Sequence, residues 1–360
     1  MQETLLLLGG LVLLLVGAEA LIRGASRLAL AVGLSPLVIG LTVVAFGTST
    51  PELAITVDAA VRGAPDIALG NVVGSNIANV LLILGLTAMI APLIVNRQLI
   101  RVDVPVMIAV SLGVCAMALD GVIARWEGTL LIACAVVYTV ALVRIGRRRT
   151  KGAIGGEAPP PPGTWWVNLL FMAAGLALLV LGAQLLVQAA VSIATGLGVG
   201  ELVIGLTVVA VGTSLPEIAT SMLAAIRGER EMAVGNIVGS NIFNLLLVLG
   251  ISAGVAPDGV PVSDAAIRFD LPVMAAVAFA CLPIFFTGHC IARWEGTLFF
   301  GFYLAYMAYL LLQAAHHDAL PTFSMAMFAF VLPLTFITLA VVTLRAYRLQ
   351  SRPSFGNDAS

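Results

Sequence analysis

Two stretches of this chain recur, nearly letter for letter, 165 residues further on. Ile39–Leu53 reads IGLTVVAFGTSTPEL and Ile204–Ile218 reads IGLTVVAVGTSLPEI, while Gly70–Gly85 reads GNVVGSNIANVLLILG and Gly235–Gly250 reads GNIVGSNIFNLLLVLG. Fainter echoes follow: RVDVPVM at Arg101 returns as RFDLPVM at Arg268, and ARWEGTL at Ala124 returns unchanged at Ala292. A duplicated chain must pack two copies of one unit together, and the nature of the unit decides how. Apolar runs of membrane-crossing length fall at 4–24, 36–62, 66–91, 103–120, 125–145, 165–190, 201–227, 232–256, 269–288, 293–314 and 321–346. Five belong to each copy. An odd number of crossings turns the second copy upside down, so the duplication predicts an inverted repeat, the architecture of secondary transporters with a site at mid-membrane. The eleventh span stands outside it.

Composition agrees. Charged residues make up 10% of the chain and hydrophobic ones 60%, against roughly 25% charged in a soluble domain. This excludes a soluble enzyme, a nucleic-acid-binding protein and a disordered tail. Cys115, Cys134, Cys281 and Cys290 form no C-x-x-C pair and read as small apolar residues. Three histidines (His289, His316, His317) are too few for a His-rich zinc site. No cofactor and no obligatory protein partner are expected; the surroundings are the lipid bilayer.

The N-terminal run has an acidic residue, Glu3, and no basic one before its apolar stretch, unlike a signal peptide. VGAEALIRGASRLALAVGL at Val16 is also echoed by LGAQLLVQAAVSIATGLGV at Leu181, so the first run reads as a retained span. With the N-terminus outside, the inner segments collect Arg23, Arg27, Arg97, Arg101, Arg144, Arg147, Arg148, Arg149, Lys151, Arg227, Arg230, Arg293, Arg345, Arg348 and Arg352, and the outer ones Arg62, Arg125 and Arg268. That bias predicts an inner-membrane protein with a cytoplasmic C-terminus. The expected fold is an all-α polytopic membrane protein of about eleven spans. Residues 1–146 form the first five-helix repeat, 147–163 a basic, then proline-rich cytoplasmic linker, 164–314 the inverted second repeat, and 315–360 an extra transmembrane helix with a tail.

Polar residues at membrane depth mark the candidate site. Gly47–Glu52 and Gly212–Glu217 interrupt two apolar spans. Pro51 and Pro216 lack an N–H, which should loosen the turns around Ala45 and Ala210 and make carbonyl oxygens available there. Thr48 and Ser49 precede Glu52 by four and three residues, on one helical face, as Thr213 and Ser214 precede Glu217. On the following spans Asn71, Ser75 and Asn79 make a polar stripe at every fourth residue, as do Asn236, Ser240 and Asn244. Two carboxylates, hydroxyls, amide oxygens and carbonyls suit a hard divalent cation such as Ca²⁺, and the lack of thiolate or imidazole argues against softer metals. One Ca²⁺, two monovalent cations or two protons would each neutralise Glu52 and Glu217. Competition for that pair is the physical core of exchange.

Other acids read as structural. Glu19 precedes Arg23 by four residues and has the neutral Gln184 as its mate, which suggests an interfacial ion pair. Asp103, Asp270, Glu127 and Glu295 stand at span starts as helix caps. Asp58, whose mate is Leu223, has no expected role.

At these motifs the sequence resembles the cation/calcium exchanger superfamily, in particular prokaryotic sodium/calcium antiporters. The GTSxPE and GNxxGSNIxN pairs carry the resemblance, which extends over residues 4–314. It implies a Ca²⁺/cation antiporter, not an enzyme, built of two inverted five-helix halves. The family's binding residues match Thr48, Ser49, Glu52, Ser75 and Asn79 in the first half and Thr213, Ser214, Glu217 and Ser240 in the second, with carbonyls at Ala45 and Ala210. Where some members carry an Asp, this chain has Asn244, which leaves the two halves symmetric and makes H⁺/Ca²⁺ exchange the alternative to Na⁺/Ca²⁺ exchange. The first and sixth spans, which lack the motifs, are candidate sliding gates. Of the competing classes, a cation channel predicts flux without a counter-ion, and the paired charged site with no oligomeric pore repeat argues against it. A membrane enzyme needs a nucleophile–base pair or metal cluster, and neither H-E-x-x-H nor G-x-S-x-G occurs.

Overall fold

The computed structural model describes residues 2–153, 165–198, 200, 204, 207, 208, 210–315 and 317–350. In chain order the helices are α1 (Glu3–Val32), α2 (Pro36–Thr48), α3 (Thr50–Val61), α4 (Pro65–Ile90), α5 (Leu99–Asp120), α6 (Arg125–Arg147), α7 (Trp165–Gly196), α8 (Leu215–Ile226), α9 (Arg230–Val255), α10 (Ala266–Phe286), α11 (Arg293–Ala314) and α12 (Leu320–Leu344). Among the described residues nine of these are long and apolar enough to cross a membrane, and α2 with α3, bent by 45°, makes a tenth. The expected seventh span, 201–227, falls partly outside the described residues. A helical turn at Ala210–Thr213 and helix α8 are its described part. The first span is longer than expected, reaching Val32, and the α6 helix continues to Ala153, so the basic start of the expected linker is helical. The rest of that linker, 154–163, lies outside the described residues.

The ends of these helices follow local chemistry. Proline opens α2 and α4, where its missing N–H costs nothing, and the Ser35 hydroxyl accepts from the Val38 amide. Glu127 and Glu295 cap as expected, each accepting the backbone N–H of the alanine three residues earlier at 2.8 Å. Asp103 and Asp270 do not cap. Both lie in a π-helical turn with helical backbone angles, where a side chain cannot fold back to the N-terminal amides. They accept tyrosine hydroxyls instead, Asp103 from Tyr138 at 3.1 Å and Asp270 from Tyr306 at 3.2 Å.

The core is formed by α4 and α9, whose apolar windows are 78% and 83% buried, against 33% and 28% for α1 and α7 and none for α12. The peripheral α1 and α7 pack against each other as an antiparallel pair. A Cβ at Gly17 would stand 2.8 Å from the Gly175 carbonyl oxygen, and one at Gly10 2.8 Å from that of Gly182, so glycine sets how close these backbones come. Two short clips join the halves. β1 (Leu93–Ile94) pairs antiparallel with β4 (Cys290–Ile291), and β2 (Val122–Ile123) with β3 (Val260–Pro261).

Glu19 does pair with Arg23, as expected, but also with Arg227 at the end of α8, at 2.9 Å. Asp58, which the sequence left without a role, pairs with Arg62 at 2.8 Å.

Candidate ion-binding site

The break between α2 and α3 falls at Ser49 (φ −80°, ψ 6°). Pro51 has no N–H for the Gly47 carbonyl, so the regular ladder stops there and the chain turns. The second half breaks at Ser214 (φ −91°, ψ 8°), ahead of Pro216. Because the helices break, the expected pairing of Ser49 with Glu52 on one face does not form. Each serine crosses to the other half. Ser49 Oγ donates to Glu217 Oε1 at 3.4 Å, and Ser214 Oγ donates to Glu52 Oε1 at 3.4 Å. The two glutamates, each 1% exposed, thus share one centre on the pseudo-two-fold axis between the repeats.

Around them the polar stripes divide into two layers. Asn79, Ser240 and Asn244 are buried, and Ser75 Oγ accepts from Asn244 Nδ2 at 3.0 Å. Asn71 and Asn236 turn away to brace the glutamate helices. Asn71 donates to Thr56 Oγ1 at 2.9 Å and to the Glu52 carbonyl at 3.3 Å, and Asn236 donates to Ser221 Oγ at 3.0 Å. Thr56 and Ser221 occupy equivalent places in the repeat. A hydroxyl retained at one register in both halves was the signal that could have found this layer. Ala45 offers its carbonyl less freely than expected, since it accepts the Ser49 amide at 3.0 Å and the Thr48 hydroxyl at 3.3 Å.

Several buried atoms here have no hydrogen-bond partner among the described residues: Glu52 Oε2, Glu217 Oε2, both amide atoms of Asn79, Ser240 Oγ and Asn244 Oδ1. Stranding a buried polar atom costs roughly 1–3 kcal/mol, and more for a charged one. Such a cluster is tolerable when a ligand completes it. Five of the six atoms are oxygens, two of them carboxylate, which is the donor set of a hard cation.

Among the described residues, the site borders a cavity on one side. A cavity of about 580 Å³ runs from Asn71, Ser75 and Thr213 past Asp270 and Tyr306 to the exposed Asp66 and Ser263. On the opposite side the mate of this wall is sealed. Gly235 and Gly239 are buried, and a Cβ on them would meet the Leu37 and Leu41 carbonyl oxygens at 2.8 and 2.7 Å.

The chain matches the family model described as sodium/calcium exchanger protein over residues 3–144 and 167–312. It is 34% identical to the inner membrane protein YrbG of Escherichia coli strain K12 over 285 residues, covering 78% of this chain and 88% of that one. It is 32% identical to the sodium/calcium exchanger MaX1 of Methanosarcina acetivorans over 343 residues, covering 85% and 97%. The solved structure of the sodium-calcium exchanger NCX_Mj soaked without Na⁺ and Ca²⁺ superposes with a TM-score of 0.75 at 31% identity, over 86% of this chain and 99% of that one.

Proposed function

This chain belongs to the sodium/calcium exchanger family and is a multi-pass cation antiporter, and from that premise we propose that it extrudes Ca²⁺ in exchange for entering Na⁺. The two ions take turns at one centre built from Glu52, Glu217, Thr48, Ser49, Ser75, Asn79, Thr213, Ser214, Ser240 and Asn244, with the carbonyls of Ala45 and Ala210. The observation that carries the reading is the reciprocal pair of Ser49–Glu217 and Ser214–Glu52 contacts, which brings both carboxylates to one point with an oxygen of each left over. Two buried negative charges demand two positive ones. One Ca²⁺ or two monovalent ions satisfy them equally, so loading one ion requires release of the other.

The excess of arginine on the inner segments supports an N-terminus outside and a C-terminus in the cytoplasm. In that orientation the 580 Å³ cavity opens outward and the glycine-sealed side faces the cytoplasm. Residues 1–146 and 164–314 are then the two exchanging halves, tethered by 147–163, with 315–360 as an appendage. The test is ⁴⁵Ca²⁺ uptake into Na⁺-loaded proteoliposomes. Uptake that dissipates with the Na⁺ gradient is expected, and it is lost with Glu52→Gln and with Glu217→Gln. Uptake that ignores Na⁺ and follows a pH gradient would instead establish H⁺/Ca²⁺ exchange at the same carboxylates.

A further inference from the structure

Thr220 has no hydroxyl counterpart: the equivalent position in the first half is Ile55. Its side chain starts a chain of hydrogen bonds that crosses from one repeat to the other. Thr220 Oγ1 lies 2.7 Å from the Pro216 carbonyl and 3.2 Å from that of Glu217, both pure acceptors, so its proton is held by its own helix. Its oxygen must then accept from its other neighbour, Asn236 Nδ2, at 3.1 Å. That fixes the Asn236 amide, whose nitrogen also reaches Ser221 at 3.0 Å, and leaves Oδ1 aimed at Thr48. Amide and carbonyl oxygens carry no proton, so the Thr48 hydroxyl is the donor to both of its neighbours, Asn236 Oδ1 at 3.2 Å and the Ala45 carbonyl at 3.3 Å. With its proton drawn to these two acceptors rather than to the Glu217 carboxylate it also reaches, Thr48 faces the centre with lone pairs. For a cation ligand, that is the productive orientation.

We propose that Asn236, held by Thr220, is a positioning residue that orients the Thr48 hydroxyl for cation binding. The two halves hold this amide differently: Ile55 offers Asn71 no hydroxyl, and Asn71 Nδ2 donates to the Glu52 carbonyl at 3.3 Å instead. A flipped Asn236 amide would present N–H to Thr48, which would draw the threonine lone pair away from the ion. The sequence repeat gives Asn71 and Asn236 as equals; the Ile55/Thr220 difference makes them unequal. The inference rests on the carboxylate-centred ion site proposed above.

The test is Ca²⁺/Ca²⁺ self-exchange in proteoliposomes, which needs no assumption about the coupling ion. Thr220→Ile installs the residue the first half already carries and is expected to fold. It should raise the KM for Ca²⁺ about three- to tenfold, the worth of one buried hydrogen bond, with the maximal rate little changed. Asn236→Ala should do the same. Each effect should vanish in a Thr48→Val background, whereas Asn71→Ala should add to Thr48→Val. Additive effects of Thr220→Ile and Thr48→Val on KM would overturn the proposal, as would a KM unchanged by Thr220→Ile. Self-exchange that survives Glu52→Gln would instead refute the site itself, an outcome read separately from the Thr220 series.

Discussion

Replacing Glu19 by Gln copies onto the first half the residue the second half carries at that place, Gln184. Glu19 holds Arg23 on its own helix and Arg227 at the end of α8. The mirror-image tie is missing. Gln184 is exposed, and Arg62, the mate of Arg227, is occupied by Asp58, whose own mate is the apolar Leu223. One end of α1 is therefore fastened to the neighbouring half. The Glu19 and Arg227 side chains are 22% and 54% exposed, so solvent screens their attraction, and the pair is worth about 0.2–1 kcal/mol. That corresponds to a roughly 1.4- to 5-fold change in the equilibrium for opening this end. Amide hydrogen exchange of residues 19–32 reads that equilibrium directly. Glu19→Gln should speed it by that factor and leave residues 3–10 unaltered, and adding Arg227→Gln should produce little further change. Acceleration beyond about tenfold would mean a desolvated tie of a different kind, and no acceleration would mean that α1 is anchored by packing alone. Full additivity of the two substitutions would refute the pairing.

Three other outcomes are expected. Because each carboxylate is served by the opposite repeat, Glu52→Gln and Glu217→Gln should weaken Ca²⁺ binding to within a few-fold of each other, as isothermal titration can check. Gly17→Val would push a side chain into a backbone 2.8 Å away; overpacking of this kind costs about 1–3 kcal/mol, and differential scanning calorimetry should show a fall of a few degrees in Tm. Asn244→Asp places a third carboxylate beside the Ser75 hydroxyl now paired with Asn244, and transport should gain a further pH dependence on top of the parent's, slowing more steeply as the medium is acidified and the new group protonates.

The repeat, the inversion and the location of the breaks are legible in the sequence because they depend on residues that recur in both copies. Glu52 and Glu217 declare themselves in this way. The contacts that join the copies are not legible. Counting three and four residues along a helix puts Ser49 on one face with Glu52, but the helix breaks at Ser49, ahead of Pro51, and its hydroxyl finds its partner 168 positions away. Asp103 looks like a cap because it starts an apolar run; a π-helical turn and a tyrosine 35 residues later redirect it. The asymmetries are hardest to see. Reading the repeat rewards positions that match, whereas Thr220 and Glu19 matter through differing from Ile55 and Gln184.

The two strand clips carry a mechanical consequence. β1–β4 ties the connection between α4 and α5 to that between α10 and α11, and β2–β3 ties the α5–α6 turn to the segment between α9 and α10. Eight peptide units thus rivet the first duplicate to the second at opposite ends of the bundle. The seam left by duplication is accordingly not a free joint. Any movement that keeps both clips must carry these segments of the two copies together, whereas the glycine-faced couple of α1 and α7, one helix donated by each, lies outside them. Ancestry divides this polypeptide at its middle; the clips bind it across that line.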